Sequence, residues 1–200
     1  MRTTSPERTV AQALVSEHLA SLSQAAAAAL PHAAIISEWA NQLAEVFGAG
    51  GRVLTCGNGG SASEAQHLTG ELVGRFRYDR QPLSAIALGA DSSATTAILN
   101  DYGVEEVFAR QVRAHGRPGD VLVAFSTSGT SPNVVAAAKA ALEIGVAVWA
   151  LTGPAPNTMA ALSDSAISVE APTVATVQEI HLSVVHALCL ALDHALGVPT

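Results

Sequence analysis

From Val53 onward, short apolar runs alternate with longer stretches whose apolar residues recur at helical spacing. The runs are VLTC at 53–56, SAIAL at 84–88, DVLVAF at 120–125, VAVWAL at 146–151 and AISV at 166–169, and they read as strands. Each is close to continuously apolar, the pattern of a strand covered on both faces. Between them the spacing predicts helices over about 61–74, 92–100, 104–115, 131–144 and 176–196. That alternation predicts an α/β fold with a doubly wound parallel sheet, whose ligands sit at the carboxyl ends of the strands. Upstream, Val10, Leu14, Leu19 and Leu22, then Ile35, Trp39, Leu43 and Val46, predict two helices parted near Pro31. These two carry more small apolar surface than one sheet face needs, so part of it is expected against another subunit. GPAPNT at 153–158 reads as a turn-rich loop.

Composition narrows the picture. A chain of 200 residues fills one core and is short for two. Glu17, His18, Glu38 and Glu45 interrupt the Ala-rich N-terminal region, so no membrane span is expected. The opening MRTTSPERTV lacks the charged-then-apolar layout of a secretory signal, which makes the cytoplasm the expected compartment. Cys56 and Cys189 lie far apart in apolar surroundings and are expected as buried, reduced thiols. A net charge of -7 with no Lys/Arg cluster argues against nucleic acid as a ligand. An anionic substrate would then need local positive potential, which backbone N–H groups at helix starts supply.

Two turns offer that. Strand VLTC runs into Gly57-Asn58-Gly59-Gly60-Ser61, with Ser61 expected near the N-cap of the following helix. Strand DVLVAF runs into Ser126-Thr127-Ser128-Gly129-Thr130-Ser131-Pro132, where Pro132 suits the first helical position and Ser131 the N-cap. Either alone is an ordinary connection. Two such turns at strand C-termini in one sheet point to one phosphorylated ligand held from two sides. Gly57-x-Gly59-x-x-Ala62 fits a dinucleotide fingerprint loosely, but the acidic residue about 20 positions on is missing, Asp91 being much further along. No Lys follows the glycines as in a Walker loop, so no nucleotide cofactor is expected.

His67 and Glu71 are spaced i, i+4 and share a helix face, as an acid/base pair or as a solvated surface pair. The last helix carries Gln178, His181 and His186 in an otherwise apolar stretch, where polar groups need partners. His186 reads equally as a core histidine with one hydrogen bond. His181 lies about 140° from it around the helix, so the two are not expected in one site. His115 and His194 read as exposed helix-end residues with no role.

Taken together, the motifs carry a family resemblance. Cys56-Gly57-Asn58-Gly59-Gly60-Ser61, Gln66-His67 with Glu71, Gly74-Arg75, Asn100-Asp101-Tyr102-Gly103, Gly119-Asp120-Val121-Leu122, Ser126-Thr127-Ser128-Gly129, Leu151-Thr152-Gly153, and Gln178-Glu179-Ile180-His181 with His186 run in order from about residue 45 to 192. The chain resembles the sedoheptulose 7-phosphate (phosphoheptose) isomerases of the sugar-isomerase, or SIS, superfamily. The resemblance implies a single SIS domain with a five-stranded, flavodoxin-like parallel sheet. Residues 1–50 would form N-terminal helices and an oligomer interface, and 51–197 the SIS domain, the whole treated as one domain, 1–200. It also implies a homotetramer with shared active sites, and conversion of sedoheptulose 7-phosphate to D-glycero-D-manno-heptose 7-phosphate through a cis-enediol. Glu71 would move the proton between C1 and C2, and His186 would protonate the enediol or shuttle the hydroxyl proton.

Substrate binding would fall to Asn58, Gly59, Gly60, Ser61, Glu71, Arg75, Asn100, Asp101, Ser126, Thr127, Ser128, Ser131 and Gln178. Zn2+ would be held by His67, Glu71, Gln178 and His186. Gln178 and His186 are eight residues apart, about 12 Å of helical rise, so both reach one ion only if Gln178 lies near the helix start and leans inward. The chain departs from the family at Thr130, usually Asn, and at Ala175-Thr176, where many members carry an acidic-basic or Pro-Arg pair. The first lies beside the phosphate-binding residues, while the second bears on recognition of the sugar's middle hydroxyls and leaves the proton-transfer pair intact. Two rivals share the fold. One is a non-catalytic SIS protein like the factor that associates with the replication initiator DnaA, which lacks the Glu and His found here at 71 and 186. The other is an isomerase of another ketose phosphate.

Overall fold

The structure, a computed structural model, describes residues 6–199, so the first five residues of the opening stretch lie outside it. Two helices lead: α1 (Pro6–Ala29) and α2 (Ala33–Gly48), separated at Pro31 by a short 3-10 turn, Leu30–His32. The remainder alternates as β1 (Val53–Cys56), α3 (Gly60–Val73), β2 (Ala85–Ala87), α4 (Ser92–Tyr102), α5 (Glu106–His115), β3 (Val121–Ser126), α6 (Pro132–Glu143), β4 (Ala147–Thr152), α7 (Thr158–Leu162), β5 (Ser165–Ser168) and α8 (Val174–Ala195). All five expected strands are present, every pairing is parallel, and the order is β2-β1-β3-β4-β5. That is the flavodoxin-like order, with its topological switch between β1 and β3.

The apolar runs follow from burial on both sides. Along β3, Val121, Val123 and Phe125 join one core with Leu43, Leu68, Ile180 and Leu188, under α2, α3 and α8. Leu122 and Ala124 join the other, with Phe108, Val112, Ala137 and Ala141, under α5 and α6. Alternate side chains of one strand thus feed opposite layers. Trp39 of α2 stacks on Trp149 of β4 at 4.8 Å and donates from Nε1 to Ser165 Oγ, which ties the N-terminal helices to the sheet.

One expectation needs correction, and one short helix goes unpredicted. Ser61 is not an N-cap: α3 begins one residue earlier, Gly59 occupies the cap at φ +57°, a conformation suited to glycine, and Ser61 is buried inside the first turn. The loop after β4 runs into a short helix, α7, capped by Asn157, whose side chain accepts from Ala160 N. Five residues are too few to show helical spacing in sequence. Finally, two stretches, Thr9–Gly48 and Val174–Ala195, are long and apolar enough to cross a membrane by length and composition. In α8 this reflects a core helix, since Val177, Ile180, Val184, Val185, Leu188 and Leu192 are buried in the first core. On α1, by contrast, Val10, Leu14, Val15 and Leu19 are exposed.

Candidate active site

The helices α3 and α8 run side by side, and two of the places where they meet bear on the site. At the start of α3, a Cβ built on Gly60 would lie 2.6 Å from both terminal atoms of the Gln178 carboxamide. Only glycine permits that approach. Seven residues further along α3, about 10 Å of rise, His67 Nε2 is 2.9 Å from His186 Nε2 and 3.2 Å from Glu71 Oε1. The i, i+4 spacing puts His67 and Glu71 on one face, and the neighbouring helix brings His186 from 119 residues away.

Two imidazole nitrogens facing each other at 2.9 Å cannot both present lone pairs. Either a proton is shared between them or a cation is held. The ligand atoms of His67, Glu71 and His186 all lie within 4.8 Å of one another. Two imidazoles and one carboxylate are a donor set that fits a catalytic zinc with an open position. Gln178, the fourth expected ligand, rests on Gly60 at the other meeting place, so joining this group would require its side chain to leave Gly60. The cluster is accessible, with the His67 and Glu71 side chains 41% and 20% exposed. Phe76 borders it, its ring 5.8 Å from that of His186.

At the start of α3 and of α6 lie the two loops expected to bind an anion. Neither helix start is capped by a side chain of its cap residue, Gly59 or Ser131, so the N–H groups of Gly60, Ser61 and Asn133 are the first-turn donors open to a ligand there. Ser126 Oγ donates to Ser131 Oγ at 3.1 Å, Ser128 Oγ lies 3.5 Å from the same oxygen, and Ser128 Oγ accepts from Thr130 N. Pro132 occupies the first turn of α6 as expected.

Other expected residues stand apart in the single chain. Asn100 and Asp101 end α4, hydrogen-bonded to each other at 2.8 Å and exposed, on a helix that packs chiefly against α5. Arg75 lies just past α3, exposed, donating to Arg77 O. His181 is fully buried, and its Nε2 donates to Thr152 O while Nδ1 faces Glu64 Oε2 at 3.7 Å, away from the cluster. His115 and His194 are exposed.

Three features escaped the sequence. Arg80, on the loop after α3, donates to Glu71 O and Leu72 O and pairs with Asp193 of α8 at 2.9 Å, with both side chains about 5% exposed or less. Asn133 and Asn58 exchange hydrogen bonds. Glu64 lies buried beside His181. No local spacing signals any of these, because the side-chain partners are distant in sequence.

Comparison with known proteins agrees with this architecture. The SIS domain family model matches residues 15–153, which makes the chain a SIS-domain protein. A phosphoheptose isomerase of Streptomyces coelicolor is 65% identical over 162 residues, covering 81% of this chain and 70% of that protein. The structures of phosphoheptose isomerases from Neisseria gonorrhoeae and Francisella tularensis superpose with TM-scores of 0.84 and 0.86, at 42% and 36% identity, each covering 92% of this chain and 98% of theirs. The chain belongs to the phosphoheptose isomerases, a family of enzymes.

Proposed function

We propose that this enzyme converts sedoheptulose 7-phosphate to D-glycero-D-manno-heptose 7-phosphate, with Glu71 and His186 as the proton-transfer pair. The observation that carries this reading is the convergence of Glu71 Oε1, His67 Nε2 and His186 Nε2 on α3 and α8, about 10 Å along α3 from the turn that opens it at the switch point. An elongated sugar phosphate matches that separation of charge-binding and proton-moving groups. Its phosphate sits against the N–H groups opening α3 and α6 and the hydroxyls of Ser126, Thr127, Ser128 and Ser131. Gln178, beside Gly60, contacts the sugar between, and Arg75, past the cluster end of α3, contacts its far end.

Glu71 takes the proton from C1 of the ketose and returns it to C2. His186 delivers a proton to the C2 oxygen as the enediol forms and takes one from the C1 oxygen as it collapses. No group is consumed, and protons only change position. His67, Glu71 and His186 would hold a divalent cation, Zn2+ by donor type, and such an ion supplies positive charge to the developing enediolate oxygen. His67 orients Glu71 through their 3.2 Å contact.

Asn100 and Asp101 fit a site shared between subunits, because exposed Leu99, Tyr102 and Val104 surround them and exposed α1 offers a second apolar face. We therefore read the chain as a homotetramer. Two unpaired thiols and a phosphorylated metabolite fit a cytoplasmic enzyme.

Incubation with sedoheptulose 7-phosphate in D2O, with and without Zn2+, followed by NMR at C1 and C2, tests the reading. Aldose carrying deuterium at the transferred position is expected. Folded protein that gives neither product nor exchange under either condition would sink the assignment.

A further inference from the structure

We infer that Asn133, together with Asn58, is a positioning residue for the phosphate: their paired carboxamides brace the two anion loops into one cradle. The inference rests on the sugar-phosphate reading, and it changes the part expected of Asn58, whose side chain holds the loop while backbone N–H groups hold the ligand.

Strands β1 and β3 are neighbours, with Cys56 beside Ala124, but the chain leaves them for opposite layers of the fold. A crevice therefore opens between the two loops, which is what makes a switch point a ligand site. The same divergence leaves the width of the crevice unset by the sheet. Asn58, on the first loop, and Asn133, in the first turn of α6, are 75 residues apart and meet across it. Asn58 Nδ2 donates to Asn133 Oδ1 at 2.9 Å, and Asn133 Nδ2 donates back to Asn58 Oδ1 at 2.8 Å. A reciprocal amide pair fixes distance and plane together, which a single hydrogen bond does not.

Each side chain is anchored on its own side as well. Asn133 is 6% exposed, and its Oδ1 also accepts from Val134 N, an N–H of the first helical turn that has no intrahelical partner. Asn58 immediately precedes Gly59, the cap of α3. Its carboxamide is committed to Asn133 through both nitrogen and oxygen, and it makes no cap bond to α3. The N–H groups of Gly60 and Ser61, ahead of Ala62 and Ser63 whose N–H groups bond Gly59 O, are thereby left to an anion, while the start of α6 is held at a set distance by the same contact. An oxyanion bound from two sides gains from both helix starts only when neither must move to reach it.

The test uses the full-length enzyme with three variants: Asn133→Ala, Asn58→Ala and the double variant. Inorganic phosphate is the binding probe, titrated by 31P NMR, alongside kcat and KM for sedoheptulose 7-phosphate and thermal unfolding. Each single substitution is expected to weaken phosphate binding and raise KM by about tenfold, with kcat falling far less. The double variant should be no worse than the weaker single, because the two side chains act as one unit. It also removes both carboxamides together, so neither is left buried without its partner and only Val134 N loses its acceptor, which keeps the test decisive if Asn133→Ala does not fold. Unchanged phosphate affinity in a folded variant would overturn the brace, as would a loss confined to kcat or single effects that multiply in the double. If the wild-type enzyme binds phosphate but leaves sedoheptulose 7-phosphate untouched, the substrate assignment fails alone and the phosphate affinities still decide the brace.

Discussion

The two ends of α3 are built by different means. At its start the groups proposed to bind the phosphate are backbone N–H groups and hydroxyls of two loops, each contiguous in sequence and delivered by a turn and a helix cap. Two turns and more further on, the working groups are side chains of two helices whose sequence separation is 119 residues. The loop end needs correct local geometry and a brace across the switch point. The cluster end needs two helices held in register, and here Arg80 acts: it binds the carbonyls of Glu71 and Leu72 and reaches Asp193, seven residues past His186 on α8. A helix C-terminus leaves carbonyls unpaired, and a buried guanidinium satisfies two of them while gripping the neighbouring helix.

Substitutions at the two ends should therefore fail differently. Glu71→Gln and His186→Asn keep shape and lose proton transfer, so kcat is expected to fall between about a hundredfold and ten-thousandfold with a small change in KM. Steady-state kinetics on folded variants check this, and a tenfold rise in KM with kcat preserved would reverse the assignment of the two ends. Arg80→Met leaves Asp193 as an unpaired buried carboxylate and should lower stability by about 3 kcal/mol in denaturant unfolding. Adding Asp193→Leu should recover most of that loss, since an apolar pair replaces an ion pair at little cost. Activity should not return with it, because Glu71 O remains unbound. At the loop end, Ser128→Ala removes one hydroxyl, and KM for the sugar phosphate is expected to rise roughly fivefold, about 1 kcal/mol, with kcat held.

The same difference decides what the sequence discloses. The strands, the five expected helices and both loops come from local patterns, because β1 and β3 are apolar throughout and Gly57–Ser61 and Ser126–Pro132 are contiguous. Within those loops the error was one of detail: glycine at 59 takes a positive φ that moves the cap away from Ser61. His67 and Glu71 were legible as a pair from helical spacing alone. Their meeting with His186 came only through the family resemblance, because no periodicity in α8 says which helix will lie beside it. Asn58–Asn133, Arg80–Asp193 and Glu64–His181 were illegible for the same reason. Each joins elements far apart in the chain, brought together only once the sheet order is fixed.

The two cysteines report on the two ends separately, and theirs is the smallest effect expected. Cys56 ends β1 at the mouth of the first loop, and burial alone pushes its thiol up to about 12. Cys189 lies on α8 by the cluster, where burial is again the first cause, the negative charges of Glu71 and Asp193 add to it, and Arg80 opposes, for a value of about 12. Both folded values lie above that of an unfolded thiol, near 8.5, so the stability they contribute is complete below that pH and is lost as pH rises toward 12. At pH 8.5 each cysteine weakens the fold by about 0.4 kcal/mol, growing by about 1.4 kcal/mol for each further unit. Denaturant unfolding from pH 7 to 10 should show this decline, with a shallower slope after Cys56→Ala or Cys189→Ala. The distinguishing test is Glu71→Gln: thiolate absorbance during alkaline titration should shift to lower pH for Cys189 and stay in place for Cys56. Equal shifts at both would mean that the charge of Glu71 spreads across the sheet, and the two ends would then be one electrostatic environment.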